Sequence, residues 1–277
     1  MSRYDPLYEW KVEGSGAEAY EHYIVPAWMG EWADALIAVA QLEPGQQVLD
    51  VACGTGVVAR RAAIRLGTGA KVSGLDADPG MIQVARRYAE KENAPFIDWH
   101  CGDAVRMPFS DERMDVLICQ QGLQFFPDQP AALREMSRVL ARGGRLALSV
   151  WRALDRSPFL AVLAEVLGRY LGPEATMPFH ATCWLSRRED LRQLVSAAGF
   201  SEIHIRLEAK VARYPSFSSF LHGYISVFPF AARIAAMPEV DRIRMFEEIY
   251  TALETFIDDD GLAVPMESHL LTACKPV

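Results

Sequence analysis

Val48-Leu49-Asp50-Val51 runs without a break into Ala52-Cys53-Gly54-Thr55-Gly56, and the helical spacing of Val58, Ala62 and Leu66 begins directly afterwards. A buried strand that turns through two glycines into a helix restricts the chain to architectures built from βαβ units. Glycine at 54 and 56 lets the backbone turn tightly and approach a ligand with no Cβ in the way. The helix beyond presents N–H groups without intrahelical partners. The same rhythm continues downstream. Residues 71–75 predict a second strand, and Asp78-Pro79 a helix start, with the carboxylate as cap and the ring at the first helical position, running to about residue 90. Residues 96–101, 115–119 and 146–150 predict three more strands. Between the last two, Asp128 and Pro130 open a helix carrying Leu133, Met136 and Leu140, which Gly143-Gly144 is expected to end. Alternation of this kind predicts an α/β fold with a parallel sheet and helices on both faces.

After Trp151 the rhythm loosens. Residues 159–171 and 186–198 predict helices. Ile203, Ile205, Leu207, Ala209 and Val211 alternate with His204, Arg206, Glu208 and Lys210, the pattern of a half-exposed strand near a sheet edge. Residues 215–257 predict an insertion of two or three helices, and 268–273 a returning strand. At the other end, residues 1–15 are a loose lead-in, 17–28 are mixed and aromatic, and Trp32, Leu36, Ile37 and Ala40 have helical spacing.

The 277 residues, 51% hydrophobic and 23% charged, suffice for one sizeable core. A net charge of −8 with no Lys/Arg cluster argues against nucleic acid as a partner. Cys53, Cys101, Cys119, Cys183 and Cys274 are odd in number and lack C-x-x-C spacing, so reduced thiols in a cytoplasmic protein are expected rather than disulfides or structural zinc. No metal site can be assembled. No signal peptide and no membrane span are expected.

Three acids narrow the ligand. The bare pattern Gly54-x-Gly56-x-x-Ala59 also fits a dinucleotide fingerprint, so the glycines alone do not choose. Asp50 ends the first strand; an anion there repels a pyrophosphate and suits an ammonium group. Asp76 ends the second strand, where a carboxylate can accept both hydrogen bonds of a ribose diol. Asp103 follows the third strand, placed to accept from an adenine amino group. An amino acid joined through a sulfonium to a ribose and an adenine fits these acids in order.

Four segments carry a resemblance: Val48 to Gly56, Gly74-Leu75-Asp76-Ala77-Asp78-Pro79-Gly80-Met81, Cys101-Gly102-Asp103-Ala104 with Met107-Pro108-Phe109, and Arg138 to Gly144. The chain resembles the class I S-adenosylmethionine-dependent methyltransferases, in the small-molecule branch similar to the ubiquinone/menaquinone biosynthesis type, over about residues 17–151. The family's usual first loop glycine is Ala52 here. The resemblance implies a Rossmann-like, seven-stranded, mostly parallel sheet, with an antiparallel last strand inserted between the fifth and sixth, and a helical cap. It implies S-adenosylmethionine as cofactor, Asp50 near its methionine part, and Ala52, Gly54 and Gly56 in the loop beneath it. Asp76 would take the ribose hydroxyls, Ala77 and Met81 would flank the adenine, and Gly102, Asp103 and Ala104 would meet its edge. Gln120 would lie near the amino group and Tyr20 over the carboxylate as a lid. The domains then read as a helical lid at 1–45, a cofactor core at 46–151, and a remainder at 152–277. That remainder completes the sheet with strands near 203–211 and 268–274 and caps the acceptor with the insertion 215–257.

The acceptor is a small, largely apolar molecule. Tyr23, Gln124 and Phe125 are candidate pocket residues, since the segment after the fourth strand should face it. The insertion's Phe217, Phe220, Tyr224, Phe228 and Phe230 either cap that pocket or pack the insertion itself. His22, His180 and His222 stand alone and fit packing or surface roles, Cys53 fits a small buried residue, and no catalytic residue is assigned. Methyl transfer needs mainly orientation and exclusion of water. A nicotinamide-dependent oxidoreductase and a non-catalytic cofactor-binding module are the alternatives.

Overall fold

Strands with apolar side chains on both faces occupy the middle of a sheet, and β1 (Gln47–Val51) and β4 (Met114–Gln120) take that place here. The computed structural model describes residues 15–277, so nearly all of the expected lead-in lies outside the described residues. The other strands are β2 (Lys71–Asp76), β3 (Ile97–Cys101), β5 (Leu140–Trp151), β6 (Ser201–Tyr214), β7 (Ile257–Asp258) and β8 (Gly261–Cys274). Their order is β3-β2-β1-β4-β5-β8-β6, with the two-residue β7 attached to β8 off that path. β1 to β5 pair in parallel, whereas β8 is antiparallel to β5 and lies between β5 and β6. The Rossmann-like sheet of seven strands is therefore present, with one short strand added. From the centre the chain winds first toward β3 and then returns to β4, so the strand order reverses between β1 and β4. A crevice at the carboxyl ends of such a pair is where this class of sheet binds ligands.

The helices are α1 (Gly16–Ala19), α2 (Gly30–Ala40), α3 (Val57–Leu66), α4 (Pro79–Lys91), α5 (Gln129–Val139), α6 (Pro158–Leu171), α7 (Met177–Thr182), α8 (Arg188–Ala197), α9 (Phe217–Ser226), α10 (Ala231–Ala235) and α11 (Glu239–Leu253). A π-helix, Tyr20–Met29, joins α1 to α2 and contains Pro26. α4 and α5 start as the sequence predicts. Asp78 accepts from Gly80 N at 2.7 Å, Asp128 accepts from Ala131 N at 2.9 Å, and a proline follows each cap.

The chain forms two compact units. One comprises residues 29–152, 184–208 and 268–277. In it Leu49, Val51, Leu117, Leu146, Leu148 and Val150 form the core face of the sheet with Leu133 and Met136 of α5 and Leu191 and Val195 of α8. Strand alternation puts Asp50, Gln120, Ser149 and Trp151 on the opposite face, and there the Trp151 ring meets Trp32 of α2 edge-on at 5.4 Å. Thus α2, assigned to an N-terminal lid by its position in the sequence, belongs to the sheet's own unit.

The other unit comprises the described residues up to 28 with 153–183 and 209–267. Its centre is aromatic. Phe159, Phe179 and Phe220 are fully buried, Tyr224 stacks on Phe179, and Trp28 Nε1 donates to Tyr214 Oη at 3.1 Å. Phe217, Phe220, Tyr224 and Phe230 thus pack this unit's own core, the packing role weighed for the insertion.

Two local expectations are corrected. Gly143-Gly144 does not end α5. That helix stops at Val139, and both glycines lie inside β5, where Gly143 adopts φ 73° and donates to Lys275 O at 2.9 Å. In β6 the inward face changes phase. Ile203 and Ile205 point inward, but Arg206 and Leu207 are both exposed, and Ala212 and Tyr214 then take the buried side. Leu207 and Val211, placed on the core face by simple alternation, are 46% and 51% exposed. A one-residue phase change moves every later side chain to the other face.

Candidate cofactor site

The turn after β1 is held by three backbone-directed contacts. Cys53 N donates to Leu75 O at 3.0 Å, Gly56 N to Cys53 O at 2.8 Å, and Gly54 N to Asp76 Oδ2 at 2.7 Å. Ala52, Gly54 and Gly56 have φ of 56°, 54° and 85°, the left-handed region that favours glycine. Ala52 supplies that conformation at a steric cost. A Cβ on Gly54 would meet nothing within 4 Å, so its outer side is open space. A Cβ on Gly56 would stand 2.4 Å from the Trp99 ring and 3.1 Å from Ala85 Cβ. The two glycines therefore differ: Gly54 keeps space free, and Gly56 lets Trp99 press on the turn. Trp99 also covers Gly74, its register partner on β2, where a Cβ would lie 2.5 Å from the ring.

Asp50 is 1% exposed. Its Oδ2 accepts from Ala59 N at 3.0 Å, supplying the acceptor that the Gly56 cap of α3 lacks, while its Oδ1 is buried without a partner. Burial pushes its carboxyl from 3.8 up to about 8, against the opposing pull of the Ala59 N–H. Two more buried oxygens without partners lie on this face of the sheet: Gln120 Oε1 and Ser149 Oγ, on residues paired across β4 and β5. Gln120 Nε2 donates to Met29 O at 3.1 Å, which leaves the amide's acceptor end unused. A buried acceptor with no donor costs about 1–3 kcal/mol. Such atoms together leave hydrogen-bonding capacity for a polar ligand, and the Asp50 carboxyl suits a cationic group once it ionises.

Asp76 is partly buried, and its Oδ1 accepts from Asp78 N at 2.9 Å. Burial raises its carboxyl above the ordinary value despite the Asp78 and Gly54 N–H groups. It therefore ties the Gly54 turn to the end of β2, besides having lone pairs left for a ligand. Gly102 N donates to Asp76 O at 2.9 Å, which draws the segment after β3 alongside. Asp103 is exposed; its Oδ1 accepts from Val105 N at 3.0 Å, a local turn contact, and its Oδ2 has no hydrogen bond among the described residues. Ala104 is buried, Met81 is half-buried on the first turn of α4, and Ala77 is exposed.

Beyond Gln120, Gln121 adopts φ 53° and its N–H donates to Ser149 O at 3.0 Å. Gln124 is buried with neither amide atom partnered, whereas Phe125 is 52% exposed. Tyr20 and Tyr23 belong to the other unit. Both are half-buried, and Tyr23 lies against Gly223, where a Cβ would come within 2.5 Å of it, and against His222 at 5.8 Å between ring centroids. Cys53 is buried and its thiol is pushed well up by that burial, which fits an inert packing residue. All five cysteines are free.

Sequence reasoning missed Trp99 and Ser149, and it put Gln121 on the acceptor-facing segment without giving it a role. Gly74 inside a strand, with an aromatic residue on the next, was the available signal for the first. The positive φ of Gln121 and the buried hydroxyl of Ser149 left no trace in residue type.

Residues 49–148 match the family described as Methyltransferase domain. The 2-phytyl-1,4-naphtoquinone methyltransferase of Synechococcus elongatus is 35% identical over 147 residues, 52% of this chain and 62% of that protein. The chain thus spans about three fifths of that relative's length. Aklanonic acid methyltransferase DauC of Streptomyces sp. (strain C5) is 31% identical over 179 residues, covering 61% of this chain and 80% of the relative. Among solved structures, Haemonchus contortus phosphoethanolamine N-methyltransferase 2 in complex with S-adenosyl-L-methionine matches with a TM-score of 0.61 at 19% identity. That match covers 100% of this chain and 60% of the other, a likeness of fold.

Proposed function

The chain belongs to the class I S-adenosylmethionine-dependent methyltransferases, in the small-molecule branch of the ubiquinone/menaquinone type, and from that membership we propose that it methylates a small, largely apolar acceptor bearing a ring hydroxyl or carbonyl. The observation that carries this reading is the half-satisfied Asp50, a buried carboxylate whose Oδ1 lacks a partner beside an open glycine turn. A nicotinamide dinucleotide would set a pyrophosphate against that acid. An amino acid's ammonium group supplies the missing donors, and Gln120 Oε1 and Ser149 Oγ offer two further acceptors for it. Asp76 then accepts from the ribose hydroxyls, Asp103 Oδ2 and the Ala104 backbone meet the adenine edge, and Ala77 and Met81 flank its faces. Gln124 and Phe125 line the acceptor side. The 46–151 cofactor core is read together with α2, 184–208 and 268–277 as one compact unit.

The acceptor class rests on the two bacterial relatives, which are named for 2-phytyl-1,4-naphtoquinone and for aklanonic acid. When bound, S-adenosylmethionine supplies a methyl group already activated by a sulfonium. The protein's own tasks are to orient the acceptor in line and to exclude water. Free thiols support action in a reducing cytoplasm.

Calorimetry with S-adenosylhomocysteine and with NAD tests the reading; tight binding of NAD alone would reverse it. Within it, Asp76→Asn is expected to weaken S-adenosylhomocysteine binding by roughly 1–3 kcal/mol, the scale of one charge-assisted hydrogen bond. Unchanged affinity would remove Asp76 from the ribose.

A further inference from the structure

At the carboxyl end of β4, next to the glycine turn, one side chain has its hydrogen-bonding direction fixed by its neighbours. Ser268 Oγ donates its only proton to Val150 O at 2.9 Å, so toward Gln121 it can only accept. Gln121 Nε2 is accordingly the donor to Ser268 Oγ, at 2.9 Å. The carboxamide is thereby locked with its oxygen turned away from Ser268, and that Oε1 is buried without a partner. The backbone confirms the constraint. Gln121 is held at φ 53°, a conformation that costs a non-glycine residue energy and recurs at ligand sites, and its N–H is bound to Ser149 O. The segment sits against the cofactor turn: a Cβ on Gly122 would stand 2.7 Å from Ala52 Cβ. Three residues on, Gln124 contributes a second buried carboxamide, with neither its nitrogen nor its oxygen partnered. Among these groups no charge is present, so the pair is suited to a neutral ligand.

We infer that Gln121 and Gln124 form the polar recognition edge of the acceptor site, in which the locked Gln121 oxygen accepts a hydrogen bond from a hydroxyl of the acceptor. Ser268 is the positioning residue that fixes this polarity. The substrate class is thereby narrowed to a neutral, apolar molecule carrying a free O–H, recognised through that proton rather than through charge. This rests on the methyltransferase reading of the preceding section.

The test uses the full chain saturated with S-adenosylhomocysteine and titrated with aryl alcohols (phenol, 1-naphthol and 1,4-dihydroxynaphthalene), each paired with its methyl ether. The alcohols are expected to bind about tenfold more tightly than the ethers, one neutral hydrogen bond's worth. Ser268→Ala frees the amide to rotate and should bring that ratio close to one, Ser268→Thr should restore it, and S-adenosylhomocysteine affinity should stay the same in both. Gln121→Leu should abolish the preference too, and Ser268→Ala keeps the test decisive if that variant does not fold. Equal binding of alcohols and ethers, or no binding of either, would overturn the inference while leaving the cofactor reading intact. So would an ordered water that stays on Gln121 Oε1 with probe bound. Failure of the wild-type chain to bind S-adenosylhomocysteine would instead overturn the underlying reading, and this inference with it.

Discussion

Gly56→Ala is expected to destabilise the chain by about 4 kcal/mol, combining overpacking against a ring with a strained φ. The new Cβ would lie 2.4 Å from Trp99 Cη2 at a residue with φ 85°. Neither side can yield easily, because the same ring also covers Gly74 on β2. Thermal unfolding should show a loss of about 10 °C at this chain length. Gly54→Ala is the contrasting variant. It also has a positive φ, 54°, yet its Cβ enters empty space. It should lose only about 1 kcal/mol of stability, the left-handed penalty alone, while S-adenosylhomocysteine binding falls sharply because the methyl fills room a ligand needs. Adding Trp99→Ala to Gly56→Ala should recover part of the packing loss but not the conformational part. Equal stability of the two single variants would contradict the separate duties assigned to the two glycines.

Asp50→Asn is expected to weaken S-adenosylmethionine binding by roughly 3 kcal/mol, over a hundredfold, the scale of a buried charge-assisted contact. The empty protein should meanwhile become no less stable at neutral pH, because asparagine keeps an oxygen for Ala59 N and, unlike Asp50, cannot favour the unfolded chain by ionising there. The pH dependence follows from the same group. With its carboxyl pushed up to about 8 in the folded chain, Asp50 keeps its proton there while the unfolded chain loses it near 3.8. Its contribution to stability is complete below the lower value and is lost as pH rises through the upper one. Binding of a cationic amino acid favours the ionised form, so affinity should rise toward pH 8, by up to about tenfold per unit, with about one proton released. Calorimetry of S-adenosylmethionine in buffers of different ionisation enthalpy reads that proton directly. In Asp50→Asn the release should vanish. A wild-type affinity flat from pH 6 to about 8 would place a different group opposite the ammonium.

Much of this was legible in residue order. The strand–glycine–helix junction, the caps at Asp78 and Asp128 and the strand-end acids are local signals. Local chemistry decides them, since a turn needs particular φ values and a helix start needs an acceptor. The Gly143-Gly144 stop failed because both glycines exchange backbone hydrogen bonds with Lys275, just past β8, and so extend β5. The β6 alternation failed past Arg206, where two exposed residues in a row shift the buried side by one, a break the residue types do not show. The second duty of Asp76, tying Gly54 in place, was likewise invisible.

The sequence by itself determined the kind of sheet, the place of the glycine turn and the three acids at successive strand ends, because each depends on neighbours within a few residues. Only the tertiary structure decided which polar atoms were left without partners: Asp50 Oδ1, Gln120 Oε1, Gln121 Oε1 and both amide atoms of Gln124. Satisfaction of a buried polar atom depends on everything packed around it, including Ser268, 147 residues from Gln121. No local pattern can carry that information, and the unmet hydrogen bonds are what point to the ligand.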